Sequence, residues 1–244
     1  MALDLEKLKK RQANLQGRGG NGNDFWKPED GEQVIRIVPT EDGDPFKDYW
    51  FHYNVGDTRG FLCPKRNFGD DCPVCGFASK LWNSHTEGAD GAGDEAKKLF
   101  AKQRFFSPVV VRDRHETPKV WGYSKTVYEQ LLNMVFDPDY GDITDVMEGN
   151  DIRLNYSKPA GRRFPVTEIR VRPHKTPLFE DDNNITAATD NIPDFASLFE
   201  RKSTPEVQEI LDQYVIGDDK GNSPSAPVSG DSSIEDSFNE LLSS

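Results

Sequence analysis

All three cysteines of this chain fall between positions 63 and 75, in "LCPKRNFGDDCPVC". An odd number of thiols cannot pair off completely in disulfides, and the spacing suits an ion better. Cys72-Pro-Val-Cys75 places two thiolates in one tight turn, where both reach a single tetrahedral cation. Cys63 lies nine positions earlier and His52 eleven before that. Both Cys63 and Cys72 are followed by proline, which bends the chain at a ligand. Three sulfurs and one imidazole nitrogen fill the coordination sphere of one structural Zn2+ and leave no open position for substrate. Such an ion staples a stretch of chain that has little apolar core of its own.

Other readings of the same residues stand beside this one. His85, ten residues after Cys75, is an alternative fourth ligand, and His52 alternates with aromatic neighbours as a packed strand histidine also does. A thioredoxin-like redox pair leaves Cys63 idle and lacks a surrounding strand–helix–strand pattern. A zinc deaminase needs His-x-Glu upstream of its Cys-x-x-Cys, whereas His85-Thr86-Glu87 lies downstream.

The chain is acidic overall, with net charge −12 over 244 residues, but the charge is uneven. Of 42 acidic and 30 basic residues, 15 and 3 lie between Thr176 and Ser244, which leaves 27 of each in residues 1–175. The body is neutral, and the acidity belongs to the C-terminal part. A solubilising segment has this composition, and so does an interaction tail. Apolar runs such as "PVVV" are too short to span a bilayer, and "MALDLEKLKKRQ" lacks a signal-peptide core, so a reducing cytoplasm is expected.

Leu5, Leu8, Gln12 and Leu15 suggest a short basic helix, followed by the Gly- and Asn-rich "QGRGGNGND". Strands are expected at Gln33–Pro39, Tyr49–Val55, Phe105–Asp113, Lys119–Ser124, Asp151–Ser157 and Val166–Pro173, from β-branched and aromatic runs bounded by turn residues. A helix capped by Ser124 carries Val127, Leu131, Leu132 and Val135 on one face. Another opens at Thr204-Pro205 and carries Val207, Ile210, Leu211 and Tyr214. The expected class is β-rich α+β, a small barrel or twisted antiparallel sheet. The domains are a basic arm over residues 1–22, a core over 23–216 with a zinc subdomain at about 50–105, and a disordered acidic tail over 217–244. In the tail Ile234, Phe238, Leu241 and Leu242 recur at helical spacing among acids, which suits a partner's groove.

Basic and aromatic residues alternate through the body. Lys65 and Arg66 lie between the cysteines. Lys102, Arg104, Phe105, Phe106 and Arg112 share one strand, Trp121 and Tyr123 the next, and Tyr156, Arg162, Arg163 and Phe164 cluster later. Cations follow phosphates and rings stack on bases, so one groove holding both grips single-stranded nucleic acid of any sequence.

The basic "KLKKRQ", the His52–Cys63–Cys72–Cys75 set, the "KQRFFSPVVVRD" strand and the closing "SSIEDSFNELL" occur here in the order seen in the helix-destabilising single-stranded DNA-binding proteins of T-even-type bacteriophages. The chain resembles that family along nearly its whole length. The resemblance implies an OB-fold core with a zinc-bearing subdomain and ssDNA between them. It implies cooperative, head-to-tail filaments made through the arm, with Lys9, Lys10 and Arg11 in contact with a neighbouring copy. It also implies a tail that recruits phage replication and recombination proteins (polymerase, helicase loader, recombinase mediator) and competes with DNA for the cleft. The setting is the cytoplasm of an infected bacterium, and the role is coating ssDNA in replication, recombination and repair without enzymatic turnover. The arm lacks the Ser or Thr that follows the basic residues in the family, and "RKST" at 201–204 is a closer textual match at the other end. A zinc-knuckle adaptor that never touches DNA is the competing reading. A metallo-hydrolase lacks both the open metal position and a general base.

Overall fold

The computed structural model describes residues 24–86, 91–112, 114, 117–160, 165–219 and 238. Eight strands form one mixed sheet: β1 (Phe25–Trp26), β2 (Gly31–Ile37), β3 (Lys47–Val55), β4 (Thr58–Leu62), β5 (Lys102–Val111), β6 (Lys119–Tyr123), β7 (Gly149–Ser157) and β8 (Val166–Thr176). The main order is β1-β6-β5-β2-β7-β8, with β3 and β4 leaving the path beside β5. All six expected strands are present. The β4 strand, the two-residue β1 and its parallel pairing with β6 carried no legible sequence signal.

The long strand β5 forks the sheet. Along one edge it pairs with β3 from Lys102 to Phe106 and then with β2 from Val109 to Val111, while β6 follows the opposite edge. Pro108 sits where the partner changes, and its carbonyl accepts from the Val38 N–H at 2.9 Å. Proline has no amide hydrogen to donate, so it suits the one place where no ladder bond is missed.

Six α-helices occur among the described residues: α1 (Pro64–Phe68), α2 (Pro73–Thr86), α3 (Ala92–Leu99), α4 (Lys125–Val135), α5 (Asp182–Asp190) and α6 (Thr204–Asp219). None of them is long and apolar enough to cross a membrane. The sequence marks α4 and α6 and misses the rest. In α4, Val127 and Leu131 are buried as expected, but Ser124 stands at the N-cap without a side-chain capping bond. In α6 the cap is Ser203 rather than Thr204: its N–H and Oγ–H donate to Glu206 at 2.7 and 2.6 Å. Both bonds run from Ser203 to one Glu206 carboxylate oxygen, which satisfies the Ser203 backbone donor at the helix start.

The sheet buries Ile35, Ile37, Val109, Val111, Trp121, Ile152 and Leu154 in its main core. A second core at the metal end gathers Val55, Phe61, Val74, Ala78, Leu99, Val207 and Leu211 around Cys63 and Cys72. Near the far end of β7, Asp151 is held by Arg112 at 2.8 and 3.0 Å and by the fully buried Arg36 at 3.5 Å, with Arg172 at 3.8 Å. Arg36 also donates to the carbonyls of Asp145 at 2.7 Å and Thr176 at 2.8 Å. Burial lowers its pKa to about 10, and the nearby Asp151 carboxylate works against that fall.

Candidate metal centre and nucleic-acid cleft

His52 points from β3 toward a knuckle built by the end of β4, helix α1 and the start of α2. Cys63 ends the hairpin, and Cys72 and Cys75 flank the first turn of α2, which Pro73 opens. The four ligand atoms lie within 4.8 Å of one another. Cys63 Sγ is 3.5 Å from Cys75 Sγ, and His52 Nε2 is 3.3 Å from Cys72 Sγ and 3.5 Å from Cys75 Sγ. The edges of a tetrahedron around Zn2+ with ordinary bond lengths are about 3.5–3.8 Å. The donor set therefore fits one metal ion. His52 Nδ1 lies 2.8 Å from the Leu99 carbonyl. A proton donated there leaves the Nε2 lone pair free for a cation, because the bond to the carbonyl fixes the tautomer and ring orientation a ligating histidine needs.

The ionisations of these four groups depend on one another. Burial opposes the imidazolium, yet hydrogen bonding with Cys63 and Cys72 holds the His52 pKa up at about 9. Hydrogen bonds from Cys72 and Cys75 push the Cys63 thiol far down, and hydrogen bonding to Cys63 pushes Cys75 far up. Three sulfurs this close share protons unless a cation replaces them. His85 stands apart on α2, 5.7 Å from the Trp82 ring, with its imidazole against Gly93. His52 is the histidine that the fold brings to the cysteines.

Beside this knuckle an open cleft of about 880 Å³ runs between the start of β5 and the β6–α4 junction. Lys27, Lys102, Arg104 and Lys125 supply cations to its walls. Trp50, Trp121, Tyr123 and Tyr156 supply rings, and the end of the β7–β8 hairpin closes one side through Pro165 and Thr167. Phe238, from the acidic segment, lines it too. Its ring is buried, 4.8 Å from the Arg104 guanidinium and 5.9 Å from the Phe106 ring.

A model of the family described as gp32 DNA binding protein like matches residues 29–214, more than half of the chain. The chain belongs to that family. No curated protein matches it. Membership in a DNA-binding family is what the sequence motifs anticipate, and it gives the cleft a context that shape alone does not.

Within this gp32-like chain the residues expected to touch DNA separate into three groups. Lys102, Arg104, Trp121, Tyr123 and Tyr156 line the cleft, although Arg104, Trp121 and Tyr123 are nearly enclosed and the Tyr123 hydroxyl is bound to Ser107 Oγ at 2.7 Å. Lys65 and Arg66 are exposed on α1. Phe105, Phe106 and Arg112 are used internally. Phe105 stacks on Tyr128 at 4.0 Å in the main core, Phe106 is fully buried on the other face of β5, and Arg112 is bound to Asp151. Arg162, Arg163 and Phe164, the arm residues Lys9, Lys10 and Arg11, and the tail residues Ile234, Leu241 and Leu242 lie outside the described residues. The basic and aromatic pattern of the sequence includes Trp50 and Lys125 without singling either out as a DNA contact, and it passes over Lys27. The "RKST" segment is also used internally. Arg201 reaches Asp70 at 2.5 Å and lies 4.3 Å over the Phe68 ring, and Thr204 Oγ1 donates to the Asp71 carbonyl at 2.9 Å. It clasps α6 to the metal loop.

Proposed function

We propose that this protein binds single-stranded DNA without regard to sequence and coats it cooperatively during phage replication, recombination and repair. The sheet is an OB-fold core in this reading, and the metal is one structural Zn2+ held by His52, Cys63, Cys72 and Cys75. The observation that carries the reading is the cleft, where four cations and four rings converge in a member of a DNA-binding family. Cations placed along a groove take phosphates, and rings take base faces, with stacking contributing about 1–3 kcal/mol per base.

The acidic tail supplies the regulation. Phe238 sits in the cleft against Arg104, and Glu235, Asp236 and Glu240 flank it in sequence. A ring with neighbouring carboxylates presents the same two handles as a nucleotide, so tail and DNA compete. Displaced tails are then available to replication and recombination proteins, and the basic arm joins neighbouring copies head to tail.

A salt titration of poly-dT binding tests this. The intact chain is expected to bind with a steep fall in affinity as salt rises, because neutralised phosphates release counterions. A chain ending at Ile216 is expected to bind more tightly, most visibly at moderate salt. An intact chain that ignores poly-dT at low salt ends the reading, and a truncated chain that binds no better ends tail competition.

A further inference from the structure

The cleft and the metal knuckle meet at Trp50. It lies two positions before His52 on β3, so both side chains project from the same face of the strand. The β3–β4 ladder runs to the Phe51–Leu62 pair and stops, because Pro64 turns the chain into α1. The next rung is rebuilt by the knuckle. The N–H of Cys63, itself one of the four metal-site residues, donates to the Trp50 carbonyl at 2.8 Å. Asn67 supplies the remainder: its Oδ1 accepts from the Trp50 N–H at 2.9 Å, and its Nδ2 donates to the Trp50 carbonyl at 2.7 Å and to the Cys63 carbonyl at 2.9 Å. One side-chain amide thus stands where a strand would continue. The same helix α1 places the Arg66 guanidinium 5.0 Å over the Trp50 ring.

Among the four tryptophans this environment is distinctive. Trp26 and Trp121 are almost wholly enclosed, and Trp82 stands on α2 away from the cleft lining. Trp50 is half-buried and lines the cleft. Its ring is at once reachable from the groove and fixed at the backbone by residues of the metal loop.

We infer that Trp50 is a base-stacking platform at the metal-side end of the cleft, with Arg66 on its ring as the cation for the adjoining phosphate and Asn67 as the residue that positions it. A metal held at the knuckle would act on DNA binding through this link: it would fix Cys63, and Cys63 and Asn67 together set the height of the Trp50 backbone in the sheet. A ring held this way loses little freedom when a base arrives, and the guanidinium on it is already oriented. This inference rests on the single-stranded DNA reading given above.

The test uses the full-length, metal-loaded chain, a labelled oligo-dT for anisotropy, and tryptophan emission for quenching. Trp50→Phe is expected to bind within about threefold of the unmodified chain, because a smaller ring still stacks, while losing more than half of the emission quench. Trp50→Ala is expected to weaken binding by fivefold or more. Asn67→Ala, still carrying one metal per chain, is expected to weaken binding by a similar factor, and Trp50→Ala combined with it to be no weaker than Trp50→Ala alone, as for two residues acting through one ring. A Trp50→Phe chain that quenches fully, a Trp50→Ala chain that binds normally, or losses that multiply in the double variant each overturn the inference. Metal content is measured on every variant; where Asn67→Ala loses the metal, the two Trp50 variants decide. An unmodified chain that fails to bind oligo-dT defeats the underlying DNA reading, whereas normal binding with an indifferent Trp50 defeats this inference alone.

Discussion

Two of the cores of this protein, the main sheet and the metal end, are held by different means. The main sheet buries a continuous set of aliphatic and aromatic side chains, from Ile35 and Ile37 through Val109, Trp121 and Ile152 to Leu154, and closes around a buried ion cluster at Asp151. The metal end buries fewer large side chains, and its centre is two cysteines beside Val74, Ala78 and Leu99. Burial at roughly 25 cal/mol per Å² stabilises the first directly. The second has a hairpin and helices α1–α3 gathered about four ligand atoms, so an ion held there would supply what apolar area does not. Size of core and need for a staple vary inversely within one chain.

The largest expected effect comes from removing the ion. A chelator should loosen the hairpin and α1–α3 while leaving the sheet folded, because structural zinc in comparable small sites contributes on the order of 10 kcal/mol. Limited proteolysis should then cut between residues 56 and 101 and spare residues 149–176. Cys72→Ser should do the same, and His85→Ala should keep one metal per chain. Uniform proteolysis of the whole molecule would erase the distinction between the two cores.

Next in size is the mirror experiment on the sheet. Asp151→Ala strips the partner from Arg36, which is fully enclosed. Breaking a buried pair in this way costs roughly 3–5 kcal/mol. The urea midpoint should fall accordingly with metal stoichiometry unchanged, and loss of the metal would show that the cores are not independent.

A smaller effect is expected at the cleft between them. Phe238→Ala removes the ring that faces Arg104. A cation–π contact of about 0.5–1 kcal/mol converts to a two- to fivefold gain in ssDNA affinity, measured on otherwise intact chain. Unchanged affinity would mean that the ring does not compete.

The smallest effect concerns acid. The hydrogen bond from Lys47, with help from Thr40 and the Asp44 N–H, holds the Asp42 carboxyl down at about 2, against an ordinary 3.8. A depressed carboxyl supports the fold above its unfolded pKa and loses that support as pH falls through the folded one. The contribution is present above about pH 4 and gone near pH 2. Asp42→Asn should flatten that portion of the acid-unfolding curve slightly, and an identical curve would remove Asp42 from the account.

The three cysteines were legible as a ligand set because metal chemistry fixes residue type and spacing together, whereas the choice of His52 over His85 needed the fold. Two of the six helices were legible, α4 and α6, because each carries a full apolar stripe. The helices α2 and α3 were not: "PVCGFASKLWNSHT" and "AGDEAKKL" bury few side chains each, Val74 and Ala78 in one and Ala96 and Leu99 as the apolar pair of the other. Their packing is set by the knuckle rather than by their own periodicity. The strand β5 misled in the opposite sense. Alternation normally sends one set of side chains outward, but β5 has a core on each face, so Phe105 and Phe106 are both interior. Ring and cation content alone cannot tell a groove from a doubly covered strand. Trp50 could not be told from its buried aromatic neighbours for a related reason, since its exposure depends on where β4 stops.

The forked strand has a mechanical corollary. Because β5 is hydrogen-bonded to β3 on one side of Pro108 and to β2 on the other, the metal end and the main sheet share a single length of extended backbone. An extended strand clamped on its ladder flexes like a leaf spring and does not swivel like a linker. Lys102 and Arg104 lie on that shared strand, so a displacement of the metal end relative to the main sheet would be felt at the cleft wall they form.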